Sequence, residues 1–140
     1  MKKLLLVSFL FIFISACSEE KKFEVTNTEA FAYSLDSGWE LNASVNVAGF
    51  EQKKGEDDEY SAKLSYSFHL ITPESDTLYE ADYGFIDKQE SEELMDIQIE
   101  SQLELDSTSV VGLYKIIFEI TDDFTGKTIS ADAEFELTAD

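Results

Sequence analysis

The residue types that carry most enzyme chemistry are scarce in this 140-residue chain, which has one histidine and one cysteine. A serine or cysteine nucleophile needs an activating base, and a histidine base could only be His69. Ser65 and Ser67 share the polar face of a predicted strand with His69, but no orienting partner and no nucleophile elbow accompany them. Such a histidine is typical of a solvated sheet surface, so we predict that the protein is not an enzyme.

Carboxylates are the other candidates for chemistry, because the chain has 30 acidic residues. A glycosidase pair needs a deep cleft in which burial raises one pKa, and acids on alternating outer positions offer none. Calcium prefers hard oxygen ligands. The weak candidates for calcium ligands are Glu56, Asp57, Asp58 and Glu59, together with Asp122 and Asp123. No spaced Asp-x-Asp-x-Asp-Gly loop supports them, and one histidine excludes the common zinc sites, so we expect no metal and no cofactor.

The first residues have the layout of a secretory signal peptide. A positive pair, Lys2 and Lys3, precedes an apolar run from Leu4 to Ile14 that only Ser8 interrupts. The run is too short to span a bilayer, which needs roughly 20 apolar residues, whereas a signal core has about 7–15. Residues 1–16 are therefore expected to form a signal helix that is cleaved.

Ile14-Ser15-Ala16-Cys17 resembles a bacterial lipobox, the sequence that lipoprotein signal peptidases recognise. The resemblance implies that the Cys17 thiol takes a diacylglyceryl group and that cleavage leaves Cys17 as the first residue. Each buried CH₂ contributes about 0.8 kcal/mol, so a single myristoyl chain holds only marginally, whereas two or three chains such as palmitate make a durable anchor. Residues 17–22 would then be a lipidated tether to a membrane.

Ser18, Glu19 and Glu20 bear on localisation. Serine after the lipidated cysteine resembles the outer-membrane-directed class of double-membraned bacteria, and Cys-Ser-Glu-Glu also resembles the surface-export signals of some of them. A plain solvated tether is the alternative. We expect a lipid-anchored protein of the cell envelope, at the outer rather than the inner membrane, with exposure at the cell surface left open.

The charge of the chain excludes several partners. Its net charge is −20, and without Lys2 and Lys3 eight lysines stand against 30 acids, a net charge of about −22. Nucleic-acid binding needs a basic footprint and contact with anionic lipid needs a polybasic segment, so the remaining partners are basic or neutral. No cysteine remains for a disulfide once Cys17 is lipidated, so burial alone must hold the domain.

Alternating apolar and polar residues dominate the chain from Trp39 onward, and period two indicates strands with one buried face. The apolar rows run along Trp39–Val47, Tyr60–Leu70, Tyr79–Phe85, Met95–Leu105, Tyr114–Ile120 and Ile129–Leu137, after a weaker strand from Phe23 to about Tyr33. The aromatic residues of these rows, including Tyr79, Tyr83 and Phe85, are expected to pack in the core. One or two helical turns are expected from Gln89 to Met95. We predict an all-β, antiparallel sandwich of about seven strands over residues 23–140.

The segment from Gly112 to Leu137 resembles the last two strands of bacterial immunoglobulin-like or fibronectin-type-III-like modules. The shared features are a Gly-x-Tyr strand entry, alternating aliphatics, and an Asp and Thr-Gly turn before a closing strand. A tyrosine in this place, here Tyr114, turns its hydroxyl back to the preceding loop. The resemblance implies an immunoglobulin-like fold with Trp39 as its buried tryptophan, although the cysteine pair of antibody domains is absent. Such folds host many functions.

Two functions remain open on this basis. The first is a non-enzymatic module that binds or supports another envelope or extracellular component, a protein or a glycan, through loops such as 49–58 and 87–93 or through an edge strand. The alternative is a carrier of a small apolar ligand, with the strands closed as a lipocalin-like barrel around a cavity.

Overall fold

The alternating rows of the sequence form antiparallel strands throughout the part of the chain that the structure describes. The computed structural model describes residues 21–139, so Cys17, the expected signal helix and most of the tether lie outside the described residues. The strands are β1 (Glu24–Leu35), β2 (Gly38–Ala48), β3 (Lys53–Lys54), β4 (Tyr60–Ile71), β5 (Thr77–Glu90), β6 (Asp96–Leu105), β7 (Gly112–Asp122) and β8 (Thr128–Leu137). The predicted all-β architecture is confirmed, with the two-residue β3 as an eighth strand.

No helix occurs in residues 21–139, and therefore none there that could cross a membrane. The helical turns predicted from Gln89 to Met95 are wrong, because β5 continues to Glu90 and an irregular loop follows. The Gln52 side chain explains the loop: its Nε2 donates to the Leu94 carbonyl at 2.9 Å, and its Oε1 accepts from the Leu94 N–H at 2.8 Å. The backbone of Leu94 thus bonds to a side chain instead of to a helical neighbour.

The strands form two antiparallel sheets. One sheet has the order β1-β2-β6, and the other has the order β5-β4-β7-β8, with β3 pairing with β4 beyond the end of β7. The sheets approach each other where β1 passes β8, and the Thr28 hydroxyl donates to the Asp132 carbonyl at 3.2 Å. This is a sandwich of two sheets rather than the single closed sheet that a lipocalin-like barrel requires.

The core lies between the sheets and is filled by the predicted rows of β2, β4, β6, β7 and β8. Met95, the first residue of the predicted β6 row, is an exception, because it precedes the strand and is 80 % exposed. The buried residues of these rows include Leu41, Val45, Leu64, Phe68, Ile99, Ile116, Phe118 and Leu137. At its centre the Phe68 and Phe118 rings meet edge to face, with centroids 4.8 Å apart. Interlocking rings of this kind occupy the space that an apolar carrier would need for its ligand.

The entry to β7 is held by the tyrosine that the sequence singles out. The Tyr114 hydroxyl donates to the Val110 carbonyl at 2.8 Å, the predicted contact with the preceding loop. Burial, and then the charge of Glu74, raise the pKa of this phenol. Trp39 differs from the expectation: it is only partly buried near the start of β2, and its indole N–H donates to the Thr138 carbonyl at 3.1 Å.

Candidate functional site

β5 carries a row of exposed aromatic side chains. Tyr79 is 77 % exposed, Tyr83 69 % and Phe85 82 %. We call these three residues the aromatic face. The expectation that they pack in the core is wrong, although a strand was correctly predicted here. Large apolar groups grouped on a surface mark interaction sites, because isolated ones are ordinary and clustered ones are rare in monomers.

The inner side of β5 shows why the aromatic rings point outward. Ala81 and Ile86 pack against the core, and Gly84 lies directly opposite Tyr66 of β4. A methyl group added at Gly84 would lie only 2.7 Å from the Tyr66 hydroxyl. The Tyr66 ring therefore fills the inner space beside β5, and the larger aromatics of β5 are left on the other side. Burial, and then the charge of Asp82, raise the pKa of Tyr66.

A β-bulge sets the position of Tyr79. The register of β5 against β4 shifts between the pairs Phe68↔Asp82 and Leu70↔Leu78, so three residues of β5 face His69 alone. The middle one, Glu80, has a φ of 51°, and its N–H donates to His69 Nδ1 at 2.9 Å. The Tyr79 ring meets the imidazole edge to face at 5.6 Å. Bulges re-aim side chains in this way, and here the bulge brings Tyr79 beside His69.

The same contacts decide what His69 can do chemically. Its Nε2 lies 3.2 Å from the Ser67 hydroxyl oxygen. Because Nδ1 accepts a hydrogen bond from a backbone N–H, a neutral ring must carry its proton on Nε2. The ring then donates to Ser67 and cannot take a proton from that hydroxyl, which nucleophilic activation requires. The geometry makes His69 a support for the bulge and for Tyr79.

A polar row borders the aromatic face on β4. Ser67 is paired with Tyr83, Ser65 with Phe85, and Lys63 with Asp87, so these residues share the outer side of the sheet. The Ser65 hydroxyl donates to the Asp123 carboxylate at 2.8 Å, and Lys63 forms an ion pair with Asp87 at 2.8 Å. Tyrosine and serine side by side resemble the composition of antibody binding loops, in which rigid rings supply contact area and hydroxyls supply adaptable hydrogen bonds.

A second, smaller row of exposed apolar side chains lies on β1. It consists of Phe31, Tyr33 and Leu35, which are 44–57 % exposed. The Phe31 and Tyr33 rings contact each other edge to face, with centroids 5.2 Å apart. These rings cover one another in part, whereas no described ring contact links Tyr83 or Phe85 to another ring. The β1 row is therefore a matched reference for the aromatic face.

The carboxylates considered for calcium do not come together. Glu56, Asp57, Asp58 and Glu59 lie in or beside the turn before β4, where Asp58 forms an ion pair with Lys54 at 2.9 Å. Within residues 21–139 no group of three or more His, Cys, Asp or Glu residues is arranged to hold a metal ion.

Asp122 has a structural role that the sequence did not reveal. It is 1 % exposed, and its carboxylate accepts backbone N–H groups of Glu51 and Phe124, both at 2.9 Å. The carboxylate thus closes the β7–β8 turn and ties it to the loop after β2. A signal was available in the Asp-Asp-x-Thr-Gly turn, since aspartate side chains commonly bond to the backbone two residues on.

A cleft of about 720 Å³ lies at the tether end of the sandwich. Its walls include Lys22, Phe50, Asp122 and Lys127, and it opens to solvent. The mixed charges of its walls differ from the mostly apolar lining of typical small-molecule sites. The buried Asp122 in its wall is already bonded to the backbone, so it offers no free ligand to a molecule in the cleft.

Comparisons with known proteins identify the architecture and little else. No protein-family model and no curated protein matches the chain. Among solved structures, the chain resembles part of a family 123 glycoside hydrolase from Clostridium perfringens that is described in connection with glycolipid glycan hydrolysis. The match has a TM-score of 0.52 and 13 % identity, and covers 77 % of this chain but 22 % of that one. The chain therefore spans about a fifth of the hydrolase, and likeness at this identity concerns the fold alone.

Proposed function

We propose that this chain is a lipoprotein of the cell envelope, anchored through Cys17, whose immunoglobulin-like sandwich binds another envelope or extracellular component without catalysing a reaction. The observation that carries the binding role is the aromatic face of Tyr79, Tyr83 and Phe85. Exposure of three rings to water on one strand is unfavourable, and a partner that covered them would gain the free energy of burying this apolar surface.

Two features support the immunoglobulin-like part of the proposal. Sandwiches of that class have a tyrosine near the start of a late strand whose hydroxyl bonds back to the preceding loop, and Tyr114 makes such a bond. The chain also has two sheets of three and four main strands packed around one core. Such folds place recognition on a rigid scaffold, which is what a binding module needs.

The arrangement of the polar groups supports the non-catalytic part of the proposal. His69, the only histidine, accepts the Glu80 N–H at Nδ1, so a neutral ring donates from Nε2 to Ser67 and this pair is not set up for nucleophilic attack. Asp122, the fully buried carboxylate, is occupied by backbone N–H groups. The groups best placed for chemistry are thus used for structure.

The binding role is tested with two matched variants of the full-length, lipidated protein. Tyr83→Thr/Phe85→Thr removes two rings from the aromatic face, and Phe31→Thr/Tyr33→Thr removes the same pair of ring types from β1. Threonine keeps a high strand propensity. Each protein is used to retain components of detergent-solubilised envelopes from its own cell.

The proposal predicts a component that the wild type and the β1 variant retain and that the β5 variant loses. Urea unfolding of the β5 variant should stay within about 0.5 kcal/mol of the wild type, since both rings are exposed. An identical set of retained components for all three proteins would contradict the proposal.

Anchoring has an independent test in Cys17→Ala. Metabolic labelling with a fatty acid should mark the wild type and leave the variant unlabelled, because a lipobox cysteine carries the acyl chains. Acyl label that persists in the variant would contradict the lipoprotein assignment. Protease added to intact cells then tests surface exposure separately from lipidation.

A further inference from the structure

We propose that the free edge of β5 from Tyr83 to Glu90 takes up an extended segment of a basic partner protein, as an added strand with its basic side chains over the aromatic face. This inference rests on the proposed function, because it states how the aromatic face binds and what kind of partner fits it. Strand addition supplies main-chain hydrogen bonds, and alternate side chains supply specificity.

The edge of β5 is available for such pairing. β5 is the longest described strand, with 14 residues, and it pairs with β4 along one side. Within residues 21–139 no strand forms a ladder with its other side. A strand edge of this kind presents a row of unpaired N–H and C=O groups, which is a template for another chain.

Only the second half of the edge is suited to a partner. The first half carries the bulge at Tyr79–Ala81 and the half-buried Asp82 that follows it, and bulges and inward charges are devices that block edge pairing. From Asp82 to Glu90 the strand pairs residue for residue with β4, from Phe68 back to Tyr60, with no register shift. A partner strand of about eight residues would fit this regular stretch.

The two sides of the edge call for different side chains. Cross-strand neighbours share one face of a sheet, so an added strand would place alternate residues beside Tyr83, Phe85 and Asp87 on the outer side. The other residues would lie beside the smaller inner positions, Gly84 and Ile86. We therefore expect basic residues to alternate with small apolar residues in the partner segment.

The negative charge around the β5 edge favours basic residues at the outer positions of the partner segment. Four of the five charged side chains from Glu80 to Glu90 are acidic, and the chain as a whole carries −20. Cations also bind over aromatic rings, and the chain does this with its own lysines: Lys53 Nζ lies 4.2 Å from the centroid of the Phe124 ring. The described lysine–ring contacts are at Phe124 and Tyr60, and neither is on β5. A second copy of the chain would bring the same negative charge and be repelled.

A peptide probe tests this inference on the full-length protein in detergent micelles. The probe is a fluorescent nonapeptide of alternating arginine and valine, and its binding is followed by fluorescence anisotropy. Two derivatives carry N-methyl groups, one on the arginine amides and one on the valine amides. Because alternate N–H groups of a strand point to opposite sides, only one derivative loses the donors that would face β5.

We expect the parent peptide to bind saturably. One N-methyl derivative should bind with at least about tenfold lower affinity, and the other should bind nearly as tightly as the parent. Tyr83→Thr/Phe85→Thr should weaken the parent about tenfold or more, and Phe31→Thr/Tyr33→Thr should leave it unchanged.

Several results would overturn the inference. Equal binding of both N-methyl derivatives would show attraction by charge alone, and equal binding of a glutamate–valine peptide would remove the basic preference. Absence of saturable binding, or displacement of the peptide by the neutral oligosaccharide maltohexaose, would also overturn it. If envelope retention still depended on Tyr83 and Phe85 in that case, strand addition would fail while the proposed binding function stood.

Discussion

β5 and β7 lie in the same sheet, one strand apart, and both carry an alternating row of large apolar residues. β7 lies between β4 and β8 and buries its row completely, including Phe118. β5 lies at the edge and exposes its row, including Phe85 at 82 %. The difference teaches that a period of two identifies a strand and two faces but leaves open which face is buried.

Neighbours in space decide between the two faces. β7 buries its whole apolar row in the core, whereas the inner side of β5 is already occupied by the Tyr66 ring over Gly84. The strand therefore turns Gly84 and Ile86 inward and its rings outward. Packing in the core does not account for the exposed aromatic side chains of β5, and such departures from the usual pattern are expected at functional sites.

The largest predicted effect separates the two strands directly. Phe118→Ala should lower the free energy of unfolding by about 3–5 kcal/mol, because it leaves a cavity in a close-packed core. Phe85→Ala should change it by no more than about 0.5 kcal/mol, because the ring is exposed. Urea unfolding followed by tryptophan fluorescence measures both. Similar losses in the two variants would show that the aromatic face supports the fold.

Gly84→Val tests why β5 exposes its rings. The added side chain would collide with the Tyr66 ring, so we expect a loss of about 1–3 kcal/mol from overpacking. The control is Tyr66→Ala/Gly84→Val, in which the obstructing ring is gone. Strong coupling between the two substitutions in a double-mutant cycle is expected, and additive losses would contradict the explanation.

These two strands also show how far the sequence could predict the structure. The strand positions, the core rows of β2, β4, β7 and β8 and the Tyr114 hydrogen bond follow from periodicity and from one local motif. The orientation of β5 does not, because Gly84 and Tyr66 are 18 positions apart and their contact arises only when β4 and β5 pair in this register. The bulge opposite His69 is likewise a product of that pairing.

Tyr114→Phe probes a smaller contribution on the β7 side. The substitution removes the hydroxyl that donates to the Val110 carbonyl, and we expect a loss of about 1 kcal/mol. Tyr83→Phe on β5 removes an exposed hydroxyl and should cost no more than about 0.5 kcal/mol. Equal effects in thermal unfolding would contradict the structural role of the Tyr114 bond.

The smallest effect concerns pH and the turn that leads into β7. The Thr108 hydroxyl and N–H bond to the Asp106 carboxylate and hold its pKa below the ordinary value. The stabilisation is therefore present above the unfolded-state pKa and is lost as the pH falls through the lowered folded-state pKa. An NMR titration of Asp106 should show this, and Thr108→Ala should return the pKa toward its ordinary value. An unchanged titration in the variant would assign the shift to another cause.

The central claim is that the aromatic face contacts a partner in the cell, and site-specific photocrosslinking tests it most directly. A benzophenone amino acid is placed at position 85 on the aromatic face, or at position 31 on the β1 row, in the full-length protein, and intact cells are irradiated. We predict one discrete, heavier adduct from position 85 and none of that size from position 31. Adducts of the same size from both positions, or an adduct from position 31 alone, would contradict the claim.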